Sequence, residues 1–167
     1  MKAVGVLLAL VAALALQTTI SGLTMGGARM VNLVVVAVVG VGLMFGPVAG
    51  LLAGTAGGLL QDALAGGIVG IGSLSKTLVG FFSGLLGTHF IVAHPIPRFV
   101  MFAGATAAHA LCFEGLYALI EARGFRLDHS ALLVQAGINA TVGLVAFFFL
   151  ERGPGLLQRR RARRGRY

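Results

Sequence analysis

The stretch that decides the fold is residues 30–60, MVNLVVVAVVGVGLMFGPVAGLLAGTAGGLL. It is apolar apart from Asn32 and Thr55, and Gly46-Pro47 lies at its centre. One straight helix of that length would extend about 46 Å, well past the ~30 Å hydrocarbon core of a bilayer. Two short helices remove the mismatch. Pro47 suits the first turn of the second, where its missing N–H would have no helical partner anyway.

Comparable apolar runs cover residues 4–20, 74–92, 99–120 and 131–150, each close to the ~20 residues a membrane-crossing helix requires. The expected fold class is therefore an all-α integral membrane protein, a bundle of six short transmembrane helices. The first run also admits a signal-peptide reading, with Lys2 before it and Ala13-Leu14-Ala15 as a small-residue cleavage site. The spans that follow at once favour a retained helix.

Composition points the same way. Of 167 residues 57% are hydrophobic and 11% charged, with a mean hydropathy of +0.96. Soluble domains carry about 25% charged residues, so an ordinary soluble domain is excluded. The net charge of +8 is concentrated at one end. Arg152, Arg159, Arg160, Arg161, Arg163, Arg164 and Arg166 lie in the last sixteen positions, which leaves six bases against five acids elsewhere. Residues 1–151 are thus expected to form the transmembrane domain and 152–167 a basic cytoplasmic tail.

A basic run directly after an apolar one marks a cytoplasmic flank rather than a nucleic-acid surface. With six spans and both ends inside, Lys2, Arg98 and the seven tail arginines oppose Arg29, Lys76, Arg123 and Arg126, nine against four. A five-span arrangement scores equally but strands residues 48–60 outside the bilayer. The single Cys112 allows no intramolecular disulfide.

Twenty-six glycines are about twice the usual ~7% share, and fourteen lie between Gly40 and Gly87. Gly50, Gly54 and Gly58 recur every four residues, as do Gly80 and Gly84. In lipid, such spacing lets helix backbones approach closely, so these positions are expected to be helix-packing surface within the bundle. Gly66, Gly67, Gly70 and Gly72 fall in a connection, where positive φ is available to them.

Ionisable groups inside spans are costly and are candidates for function. Asp62 lies about 22 Å along its helix from Pro47, and Glu114 about 24 Å from Arg98, at 1.5 Å per residue. Lys76 opens the outward end of the fourth span, either in the cluster or reaching to the water interface. Gln61, Asn139, Gln17, Thr18 and Gln135 fall on the same side, so an outer polar cluster is expected. His109 and Cys112 share the helix of Glu114, with His109 read as a packed core residue. The four histidines are scattered, no G-x-S-x-G elbow occurs, and the glycine link lacks a phosphate-loop pattern. No enzyme, cofactor or metal is expected.

Residues 58–84, GLLQDALAGGIVGIGSLSKTLVGFFSG, resemble the MreD family of rod-shape-determining membrane proteins. The likeness rests on a helix ending in Leu60, Gln61 and Asp62, a glycine link through Gly66 and Gly70, and a helix opening with Leu74, Lys76 and Gly80. Span number and the basic tail fit over the whole chain. The resemblance implies a non-enzymatic scaffold of the bacterial elongasome in the inner membrane, helping to organise sidewall peptidoglycan synthesis and rod shape. It implies binding to MreC, and through it association with MreB, RodA and a class B penicillin-binding transpeptidase. It also implies a fold related to the substrate-capture subunits of energy-coupling-factor transporters. That relation supplies the rival expectation, a vitamin-type or lipid-binding subunit with the polar cluster as its pocket. The lack of Trp and the presence of only two tyrosines weigh against a ring-shaped ligand.

Overall fold

The computed structural model describes the backbone of residues 2–23, 31–66, 68–89 and 94–164, and the side chains of residues 4–19, 31–66, 68–89 and 94–150. Expectations for Arg29, Gly67, residue 92 and Arg166, and for the side chains of Lys2 and the remaining tail arginines, lie outside the described residues.

Six helices follow in order: α1 (Lys2–Leu23), α2 (Leu33–Phe45), α3 (Pro47–Ala65), α4 (Ile71–His89), α5 (Pro95–Ile120) and α6 (His129–Arg164). No strand occurs among the described residues. Three segments, Pro47–Ala65, Pro95–Ile120 and His129–Leu150, are long and apolar enough to cross a membrane.

The apolar stretch divides where its chemistry says it should. Gly46 takes φ 92°, a conformation that suits glycine, its N–H bonds Gly42 O at 2.8 Å, and Pro47 opens α3. Asn32 caps α2 by accepting a hydrogen bond from Val35 N at 3.2 Å. α2 is only 13 residues long, about 20 Å at 1.5 Å per residue. It packs against each of the other five helices, which explains a sequence apolar on every face. Val35, Val36 and Val39 join Val79, Phe102, Ala140 and Phe147 in one buried cluster. Val34, Val38 and Val41 join Leu10 and Ala53 in a second.

Three boundaries differ from the sequence expectation. Helix α4 begins at Ile71, so Gly72 lies in its first turn and not in the connection, which is bracketed instead by Gly66 (φ 67°) and Gly70 (φ 110°). Helix α5 begins at Pro95, because Pro95 and Pro97 both sit in a first turn that requires no N–H from them. Helix α6 begins at His129, capped by Asp128, and continues without a break past residue 150 to Arg164.

The most extensive interface joins α3 to α4. A Cβ on Gly50 would strike the backbone of Gly80, and one on Gly80 the backbone of Gly50. A Cβ on Gly54 would meet the Lys76 carbonyl, one on Gly58 the backbone of Ser73, and one on Gly84 that of Pro47. Backbone thus rests on backbone along the whole contact, as small residues at i and i+4 allow. Hydroxyls add register: Thr55 and Thr77 lie 2.9 Å apart, and Ser73 Oγ donates to Thr55 O at 3.1 Å.

Candidate functional site

The turn between α3 and α4 sets the position of the first polar groups. Asp62, buried near the end of α3, accepts hydrogen bonds at Oδ2 from Gly70 N (2.9 Å) and Ser73 N (3.1 Å). Its carboxylate closes the amino end of α4 from outside that helix, where the helix dipole favours negative charge. Gly72 is required here, because a Cβ would collide with Asp62 Oδ1. Lys76, one turn further along, is 2% exposed; its Nζ donates to Gly72 O at 3.3 Å and lies in Coulombic range of Asp62. Burial therefore excludes the reading in which Lys76 reaches to water.

A second network ties together three distant segments. Asn32 N donates to Asn139 Oδ1 at 3.0 Å, and Asn139 Nδ2 donates to Thr106 Oγ1 at 3.3 Å. Thr106 Oγ1 donates in turn to Phe102 O at 2.8 Å. Asn32 Nδ2 lies 3.3 Å from His109 Nε2. Asn139 is fully buried, so each of these bonds satisfies a group that no solvent reaches.

The rim is formed by the end of α5 and the link to α6. Glu114 pairs with Arg123 at 2.9 Å and accepts from Arg126 N at 3.3 Å. Arg123 also pairs with Glu121 at 2.8 Å and lies over the Tyr117 ring. Asp128 Oδ1 accepts from Ser130 Oγ (2.6 Å), Ser130 N (3.0 Å) and Ala131 N (3.1 Å). The hydrogen bond from the Ser130 side chain, and then that from Ala131 N, hold the Asp128 carboxyl below its ordinary value of 3.8.

These groups surround one cavity of about 550 Å³. Asn32, Lys76 and His109 form its buried floor, Gln61, Asp62 and Gln135 its sides, and Glu114, Arg123, Arg126 and Asp128 its mouth. Of the sequence-expected polar cluster, Asp62, Lys76, Glu114, Gln61 and Gln135 line the cavity. Asn139 lies beneath it, joined through Asn32. Gln17 instead accepts from Val34 N at 3.4 Å, and Thr18 bonds within its own helix. Among the described residues no three His, Cys, Asp or Glu side chains gather to hold a metal ion.

Sequence reasoning missed Asn32, Thr106, Arg123, Arg126 and the place of His109 in this site. Asn32, directly before an apolar run, carried the signal of a helix cap. Nothing local marks Thr106 or His109, whose partners lie 33 and 77 residues away.

A second cavity, apolar and about 480 Å³, runs between α1, α2, α5 and α6. Small residues line much of it, among them Ala9, Ala12, Gly40 and Ala146. No protein-family model, curated protein or solved structure matches this chain.

Proposed function

We propose that this chain is a non-enzymatic multi-pass membrane scaffold of the MreD type. In this reading it crosses the bacterial inner membrane six times with both ends cytoplasmic, and binds the membrane helix of an MreC-like partner. RodA, a class B transpeptidase and MreB associate through that partner. The resemblance of residues 58–84 to the MreD family motivates the assignment.

The observation that supports a docking role is the small-residue groove between α1, α2, α5 and α6. The glycines of α3 and α4 are already occupied by each other, so they offer nothing to a partner. The groove does: a Cβ on Gly5 would meet nothing within 4 Å, and one on Gly40 only the edge of Phe147 at 3.9 Å. Helix association in lipid relies on close packing against small residues, and this surface permits it.

The test fills the groove. Ala12→Leu and Gly40→Leu, made singly in the full chain and co-expressed with MreC, are expected to abolish copurification while the helical circular dichroism stays native. Undiminished capture of MreC by both folded variants would sink the proposal. Removal of residues 151–167 separates the tail: rod shape and MreC capture that survive the truncation would leave the tail no part in assembly.

A further inference from the structure

The polar cavity holds three carboxylates, and all three are fully engaged by the protein. Asp62 receives Gly70 N and Ser73 N, Glu114 receives Arg123 and Arg126 N, and Asp128 receives three donors at the start of α6. The donors in the cavity are not so engaged. Lys76 Nζ makes one hydrogen bond, to Gly72 O, and the exposed Arg126 guanidinium makes none among the described residues.

His109 supplies the second observation. Asn32 Oδ1 accepts from Val35 N, which fixes the amide so that its Nδ2 faces His109 Nε2. An amide NH₂ is a donor, so Nε2 must accept, and the ring proton resides on Nδ1. His109 is 5% exposed, and its Nδ1 is buried without a hydrogen-bond partner. An unpaired buried donor costs about 1–3 kcal/mol, so a polar group with no partner at a cavity floor calls for an acceptor.

Both donors line the same floor, and Lys76 lies in Coulombic range of His109. The one acceptor left without a partner is Gln61 Oε1, on the side wall. Apolar atoms of Ala110, Phe113, Leu127 and Leu132 complete the walls. A volume of about 550 Å³ exceeds what a bare ion fills and falls within the ~300–1,000 Å³ range of small-molecule sites.

We propose that this cavity binds the phosphate oxyanion of an organic phosphate, received at the floor by Lys76 Nζ and His109 Nδ1 and guided at the mouth by Arg126. The organic body lies against Phe113 and Leu132. A phospholipid headgroup and a soluble phosphate ester present the same chemistry. The site is separate from the apolar groove and does not depend on scaffold binding.

The full chain is placed in phosphatidylcholine nanodiscs and its thermal midpoint followed by circular dichroism, in one arm with phosphatidylglycerol added and in the other with glycerol 3-phosphate. A rise in midpoint in either arm, with a matching adduct by native mass spectrometry, is expected, and the arm that responds identifies the source. Lys76→Met is expected to remove the response. Arg126→Gln, at an exposed position that cannot unfold the core, is expected to weaken it about tenfold, the loss of one hydrogen bond to a charged group. In histidine-labelled protein the His109 Nδ1 nitrogen resonance is expected to move on binding. No response to either probe in the wild-type chain, or equal response in wild type and Arg126→Gln with an unmoved His109 resonance, would overturn the proposal.

Discussion

The two halves of the bundle solve the packing problem in opposite ways. Between α3 and α4, glycine removes the side chain and the backbones touch. Between α5 and α6, a Cβ on Gly104, Gly115 or Gly137 would meet nothing within 4 Å, and the contact is made by Phe102, Phe147, Thr106 and Asn139. Where helices touch by backbone there is no room for a ligand. Where side chains hold them apart, a cavity survives, and its polar floor must be satisfied by specific partners. The glycine-dense pair thus acts as a rigid wall, and the open pair carries the chemistry.

The sharpest way to break that contrast is to place a methyl on the wall. Gly80→Ala would drive a Cβ into the Gly50 backbone and within 2.7 Å of a Val38 methyl, with no flexible side chain able to yield at Gly50. A loss at or beyond the upper end of the usual ~1–3 kcal/mol for overpacking is expected. Thermal unfolding in detergent measures it, and an unchanged midpoint would show that α3 and α4 are not in backbone contact.

On the open side the corresponding substitution is Asn139→Leu, similar in volume but without polar atoms. It leaves the Asn32 N–H without its acceptor in a fully buried position, at a cost of about 1–3 kcal/mol. Because Asn32 also orients His109, the histidine ring resonance is expected to shift in the same variant. A destabilised protein with an unmoved resonance would separate the network from the cavity floor.

What the sequence made legible follows the same division. Period-four glycines are a local pattern, so Gly50, Gly54, Gly58, Gly80 and Gly84 could be picked out by spacing alone. The break at Gly46-Pro47 was likewise readable, since length against bilayer thickness demands it. Asp62, Lys76 and Glu114 could be brought to one depth by counting 1.5 Å per residue, because helices convert sequence distance into height. Their azimuth could not be counted. Which faces meet depends on helix rotation, and that is why His109 and Thr106 emerge only when α2, α5 and α6 are assembled. Charge at the rim was hidden for another reason: Arg123 and Arg126 are in a link with no periodicity to place them.

A smaller effect of opposite sign is expected at a glycine of the open side. Gly104 on α5 is exposed and has no neighbour for an added methyl, so Gly104→Ala removes backbone freedom without a clash. A gain of up to about 1 kcal/mol is expected from helix propensity and the reduced entropy of the unfolded chain. Destabilisation in the same thermal assay would mean that this face is covered, and the open pair less open than its glycines indicate.

The smallest effect concerns how each half closes a helix start. Asp62 caps α4 from another helix and is buried, whereas Asp128 caps α6 from the adjacent link and is exposed. The Ser130 side chain and the Ala131 N–H lower the Asp128 pKa from 3.8. A lowered native pKa means that the folded protein binds the proton less readily than the unfolded chain does. The cap's contribution is therefore complete above the unfolded value and declines as pH falls through the native one. In the wild type, the first turn of α6 should lose amide protection on acidification below the ordinary carboxylate range, ahead of the α3–α4 core. Asp128→Asn, which keeps an acceptor but cannot titrate, should show the same first-turn protection at every pH. If the acid-induced change persists in Asp128→Asn, another carboxylate is responsible, and Glu114, joined to the same link through Arg123 and Arg126 N, is the group to replace next.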